Sequence, residues 1–220
     1  MIRSLFQRPA RRVALAALLS ALPVLSLPAA VAAQTAQAAA FAEADPAAMG
    51  PLVPFRPMGT APDGWTGRVD GSAYVLENAK PGVVKYVHSG SAGTPPAPRA
   101  LSVAVKVQAA GAPGESAAGL LYGLAPGPHY YAFVLTGERQ AALFRRSPGG
   151  MERLMVLGGD MVAGDTVTLG ITEKENAITL SVNGREVAVL SQQGTGGGAA
   201  GIIAIGAGAF RFGGFRSQTP

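Results

Sequence analysis

The chain contains no cysteine. No disulfide framework, thiolate metal site or cysteine nucleophile can therefore exist, and no lipobox cysteine can carry an acyl anchor. Histidine occurs only twice, as His88 and His129, and tryptophan once, as Trp65. Two histidines without a clustered acid make a poor zinc site, because a third protein ligand is normally needed. No H-E-x-x-H or H-x-H run occurs, and His129 opens an aromatic strand, so a strand-edge role is its default. The G-x-S-x-G nucleophile elbow is absent, and Ser147 and Ser191 have no histidine nearby in sequence. Glycine runs such as GTGGG are followed neither by Lys-Ser/Thr nor by a helix, which removes the basis for a phosphate cradle. Asp160 and Asp165 in GGDMVAGD lack the dense Asp/Asn spacing of a calcium loop and read as turn residues. The expectation is no metal and no cofactor.

A charge-based claim on nucleic acid is also missing. The formal net charge is +5, from 18 basic and 13 acidic residues. Four of the basic residues, Arg3, Arg8, Arg11 and Arg12, lie in a first segment without an acid, so 14 remain against 13. A phosphate backbone asks for a dense basic face, which that balance does not supply.

The basic segment belongs to a leader. Residues 1–33 read as a secretory signal peptide: four arginines, then the apolar run Val13 to Leu27, then AAVAA with Val31 and Ala33 at the −3 and −1 positions of a cleavage site. Arg11-Arg12 lacks the neighbours of a twin-arginine signal, so a Sec-type signal is expected. The apolar run is short and broken by Pro23 and Pro28, which argues against a stable membrane span. The implied location is periplasmic or secreted. Residues 34–62 form an Ala/Pro-rich linker, since four prolines in PLVPFRPMGTAPDG stop a helix. A docking peptide built on Phe55 and Pro57 is the alternative to a plain spacer.

What is abundant points to strands and turns. Gly and Pro number 30 and 17. The stretch from Val167 to Leu190 sets the pattern. Ile178, Leu180 and Val182 alternate with Thr179 and Ser181, and Asn183-Gly184 follows at once, the preferred pair for a type I′ hairpin turn. Val187 and Val189 return, and Val167 to Ile171 precede, giving a three-strand antiparallel meander. Leu101, Val103, Val105 and Val107 alternate equally cleanly. Further strands are expected around Tyr74 to Glu77, Val83 to Val87, Ala118 to Leu124, His129 to Leu135, Arg139 to Arg146, Met151 to Leu157, Gly201 to Gly206 and Ala209 to Phe215. Ser91 to Arg99 reads as a turn-rich loop and Ser191 to Gly198 as a flexible one. Around a dozen short strands predict an all-β, two-sheet antiparallel sandwich over residues 63–217. Trp65 reads as a core anchor, with stacking on a sugar as the alternative.

These pieces resemble the concanavalin A-like lectin/glucanase superfamily, in its laminin-G-like and bacterial domain-of-unknown-function branches. The matching residues are the opening W-x-x-x-V-x-G-S-x-Y from Trp65, AGLLYGL followed by HYYAFVL, ALFRR then MERLMVL, the ITLSVNGREVAVL hairpin, and GIIAIG with FRFGGF. The resemblance covers Trp65 to Arg216 and implies a jelly roll whose concave face or rim loops bind glycans or proteins. The superfamily's glucanases carry E-x-D-x-x-E on a strand, which this chain lacks. Glu173 and Glu175 come nearest, and beside Lys174 they read as a solvated hairpin turn; Glu138 and Glu152 are isolated.

Aromatic and guanidinium side chains remain as binding candidates. In HYYAFVL the parity separates Tyr131 and Phe133 from Tyr130. The resemblance assigns the first two to the intersheet core and Tyr130 to the concave face, with Tyr122, Phe144, Arg146 and Arg153 beside it. Aromatic rings stack on the C–H faces of sugars, and Arg donates paired hydrogen bonds to hydroxyls or carboxylates. The leading expectation is an exported, non-catalytic module that binds a glycan or an envelope protein. A glycoside hydrolase or lyase-like enzyme is the second reading. An accessory domain whose sheet edge or face pairs with an envelope protein is the third.

Overall fold

Residues facing the main core alternate along the strands. In β4 (Ala100–Ala109), Leu101, Val103 and Val105 are buried in the main core and Val107 packs against it. In β10 (Ala177–Val182) the buried residues are Ile178, Leu180 and Val182. The computed structural model describes residues 55–89, 100–127, 129–174, 177–191 and 198–218. The expected signal peptide, most of the expected linker, the turn-rich loop up to Arg99 and residues 192–197 of the flexible loop lie outside the described residues.

Thirteen strands run through the described residues. Besides β4 and β10 they are β1 (Thr66–Asp70), β2 (Ala73–Asn78), β3 (Val84–Ser89), β5 (Ala117–Ala125), β6 (His129–Thr136), β7 (Ala141–Ser147), β8 (Gly150–Leu157), β9 (Val167–Lys174), β11 (Arg185–Ser191), β12 (Ala199–Ile205) and β13 (Gly208–Gln218). They form two antiparallel sheets. The seven-stranded sheet has the order β1-β2-β13-β4-β9-β10-β11, and the six-stranded sheet β3-β12-β5-β6-β7-β8. The chain crosses repeatedly from one sheet to the other, the jelly-roll pattern. No helix among the described residues is long and apolar enough to cross a membrane.

The main core lies between the sheets. Trp65 is fully buried and packs on Phe210 with ring centroids 5.8 Å apart, as a core anchor should. Phe133 and Leu135 face this core from β6, and Tyr131 packs against it. The meander closes as its turn chemistry dictates: Asn183 and Gly184 both have positive φ, 51° and 75°.

One boundary differs from the sequence reading. Phe55 is buried against Tyr74 and Phe215, at centroid distances of 5.7 and 5.1 Å. Met58 exchanges two backbone hydrogen bonds of 2.8 Å with Gly67, and the Tyr74 hydroxyl donates to the Arg56 carbonyl at 3.0 Å. Residues 55–62 are therefore built into the sandwich rather than its linker. Prolines stop a regular element, but they do not prevent a ring and two amides from finding partners.

The outer faces of the two sheets are unlike. The seven-stranded sheet carries charge outward: Arg68 pairs with Glu77 at 2.8 Å and Arg211 with Asp70 at 2.6 Å. The six-stranded sheet instead carries a second apolar cluster outward, which includes Leu121, Tyr130, Ala132, Val134, Ala142 and Ile203.

Candidate functional site

The strand register builds this second face row by row. One row runs His88, Gly201, Leu121, Ala132, Phe144, Arg153; the next runs Tyr86, Ile203, Gly119, Val134, Ala142, Val156. The middle positions are small or aliphatic, and the large polar and aromatic side chains sit at the flanks. Tyr130 on β6 stands directly opposite Arg146 on β7, which stands opposite Met151 on β8.

This face is hollow. Tyr86 on β3 aligns with Val134, so Tyr130 lies three strands across and four residues along. On a flat sheet that places their Cα atoms roughly 20 Å apart. Two tyrosine side chains cannot close such a gap, yet the ring centroids are 6.1 Å apart at 56°. The sheet must bend toward this face. Leu121, Ala132, Val134 and Ile203 are fully buried on this outer side of the sheet.

The accessible groups follow. Tyr86 is 39% exposed and packs beside His88, centroids 6.1 Å apart. Across the hollow, Phe144 and Arg146 are half-buried, and Arg153 and Met151 are exposed. Tyr130 is only 5% exposed. Burial pushes its phenol above the ordinary value of 10.0, the Arg146 guanidinium works against that shift, and Tyr86 adds to it. Tyr130 therefore stays a neutral hydroxyl that supports the ring of Tyr86 more than it offers its own.

Four of the five expected site residues, Tyr130, Phe144, Arg146 and Arg153, share this face. The fifth does not. Tyr122 points into the space between the sheets, fully buried, where its hydroxyl donates to the Glu173 carboxylate. The cause is parity: Tyr122 pairs with Tyr131, not with Tyr130. Glu173 needs the matching correction. It is a half-buried strand residue of β9 opposite Ile178, not part of a solvated turn. Of the other acids, Glu152 pairs with Arg145 at 2.6 Å, and Asp165 pairs with Lys106 and Arg139 at 3.7 and 3.5 Å. The sequence reading missed Tyr86 and His88. Their alternation with Lys85 and Val87 was a usable signal, but only the register shows that β3 borders the hollow.

No family model matches the chain. No curated protein matches it. Among solved structures, the carbohydrate-binding module CBM66 from Bacillus subtilis is similar over 70% of this chain and 91% of that one, with TM-score 0.55 and 9% identity. A functionally unknown protein from Saccharomyces cerevisiae is similar over 74% and 95%, with TM-score 0.50 and 11% identity. The laminarinase catalytic domain from Thermotoga maritima is similar over 70% and 80%, with TM-score 0.48 and 12% identity. The fold is thus the concanavalin A-like jelly roll.

Proposed function

We propose that the protein is an exported, non-catalytic module that binds a glycan in the hollow of its six-stranded sheet, after removal of a leader ending at Ala33. The observation that carries this reading is an exposed ring and guanidinium donors set on one sheet face around a buried apolar cluster. Tyr86 offers a stacking face, and Arg146 and Arg153 stand on the opposite wall. Sugars present apolar C–H faces edged by hydroxyls, and that wall chemistry matches them. A glycosidase of the familiar kind needs two carboxylates flanking the bond it cleaves. The described outward positions of the six strands carry neither Asp nor Glu, which favours binding over hydrolysis. A shared fold with a carbohydrate-binding module agrees with this reading without fixing it.

The test is a broad glycan array that includes envelope polysaccharides, probed with the purified exported protein. The expected result is a specific hit that weakens about tenfold or more on Tyr86→Ala or Arg146→Ala, with the far-UV spectrum unchanged. Silence across the array, or a hit indifferent to both substitutions, would overturn the proposal.

A further inference from the structure

The charge on the outer face of the six-stranded sheet narrows the class of sugar that fits it. We propose that the ligand is an acidic saccharide, whose carboxylate or sulfate group is held by Arg146 and Arg153 while its ring lies on Tyr86. The inference rests on the hollow being a glycan site. The two arginines sit on neighbouring strands. Arg146 on β7 stands opposite Met151 on β8, and Arg153 stands opposite Phe144, two residues further along. Diagonal neighbours of this kind have Cα atoms about 7–8 Å apart, so two long guanidinium side chains can converge on one anion. Tyr130 links them to the stacking ring: it stands opposite Arg146, and its ring centroid is 6.1 Å from that of Tyr86.

Three observations favour an anion over a neutral sugar. The first is what the arginines pair with. Arg68, Arg139, Arg145 and Arg211 each have an acid of the fold as partner. Among the described residues, no ion pair joins Arg146 or Arg153. The second is the lack of a local counter-charge. The described outward positions of the six strands carry neither Asp nor Glu. Glu152, between Met151 and Arg153, stands opposite Arg145 on the other side of the sheet and is paired there at 2.6 Å. The third is accessibility: Arg153 is exposed and Arg146 half-buried, so both can meet a ligand. A guanidinium that gives up water for a neutral hydroxyl gains an ordinary hydrogen bond and keeps its charge unbalanced. With a carboxylate or sulfate it gains forked, charge-assisted bonds, roughly twice as strong.

The probes are oligosaccharides of galacturonate, mannuronate and glucuronate, each beside its carboxyl-reduced neutral form, and a sulfated galactan oligosaccharide beside its desulfated form. They are titrated calorimetrically into the purified exported protein at low salt. The expected result is that at least one acidic form binds about tenfold or more tightly than its neutral counterpart, the effect of hydrogen bonds to a charged group. The arm that binds names the anionic group. The preference should shrink as salt is raised, because Arg153 is exposed. Arg146→Gln and Arg153→Gln should each reduce it by about fivefold or more. Arg185→Gln removes the same charge from an exposed position of β11 in the other sheet and should leave it unchanged. The proposal falls if no acidic form outbinds its neutral counterpart, if neither hollow substitution reduces the preference, or if Arg185→Gln reduces it equally. Equal binding of acidic and neutral forms leaves the glycan reading standing, whereas silence here and on the glycan array removes both. The comparison on the unsubstituted protein decides the matter even if a variant does not fold.

Discussion

Tyr122 and Glu173, 51 residues apart in sequence, share a hydrogen bond between the two sheets. The donor is a fully buried phenol and the acceptor a half-buried carboxylate. Hydrogen bonds to charged groups contribute about 1.5–3 kcal/mol, and an orphaned buried group costs a similar amount. Tyr122→Phe should therefore lower unfolding stability by about 1.5–3 kcal/mol. Glu173→Gln should lower it less, because the amide oxygen still accepts from the hydroxyl. The urea midpoint at constant slope reads both. Equal losses would mean that the charge of Glu173, rather than its acceptor, is what matters.

This bond also marks where the sequence stopped being informative. Strands whose core residues alternate with smaller or polar ones were legible, as in β10 and β4. The meander followed from Asn183-Gly184. In β5 the residues from Ala117 to Leu124 are all buried, so its apolar run offers no polar reference against which to assign parity. Tyr122 was accordingly placed on the wrong side. Glu173 looked like turn chemistry because it adjoins Lys174 and Glu175, and nothing local announces a partner on another sheet. The short β1, TGRVD, escaped because only Gly67 in it is buried. The hollow itself was invisible, since it depends on the alignment of β3 with β6 through two intervening strands.

Asn183 does two jobs in the meander. It adopts a φ of 51°, and its side-chain oxygen accepts the Thr168 amide at 2.9 Å. Alanine would lose both, at a cost of about 1–2 kcal/mol for the left-handed backbone and roughly 1 kcal/mol for the hydrogen bond. Asn183→Gly should lose only the second. The expected order of thermal midpoints is unsubstituted, then Asn183→Gly, then Asn183→Ala. Both variants lack the side-chain bond, so a reversed order would show that the freedom glycine adds to the unfolded chain outweighs the strain of alanine at positive φ.

Asp70 supplies an acid-sensitive contact on the outer face of the seven-stranded sheet. Its hydrogen bond to Arg211, then the charge of Arg211, hold its carboxyl below the ordinary 3.8, with Arg68 adding to the shift. A depressed carboxylate stabilises the fold above its unfolded value, and the contribution disappears as pH falls through the lower folded value. The relevant window therefore lies below 3.8. Thermal midpoints of the protein and of Asp70→Asn should differ at neutral pH, converge below that window, and differ less at high salt because the pair is exposed. A difference that persists in strong acid would assign the effect of the substitution to something other than the charge.

Tyr86 and Tyr130 touch, yet their substitutions should have different consequences. Tyr86 is 39% exposed at the flank of the hollow, whereas Tyr130 is 5% exposed within it. Removing a buried aromatic ring typically costs about 3–5 kcal/mol, so Tyr130→Ala should lower the unfolding midpoint sharply. Tyr86→Ala removes a ring that is 39% exposed, and its expected cost is smaller, about 1–2 kcal/mol. Glycan binding should follow the opposite order once stability is accounted for. Tyr86→Ala should abolish a stacking contact in a folded protein, while Tyr130→Phe, which keeps the supporting ring, should bind nearly normally. Calorimetric unfolding and glycan titration of the same three variants distinguish the roles. If Tyr130→Phe lost binding and Tyr86→Ala kept it, the Tyr130 hydroxyl, held neutral by burial, would be the group that meets the sugar.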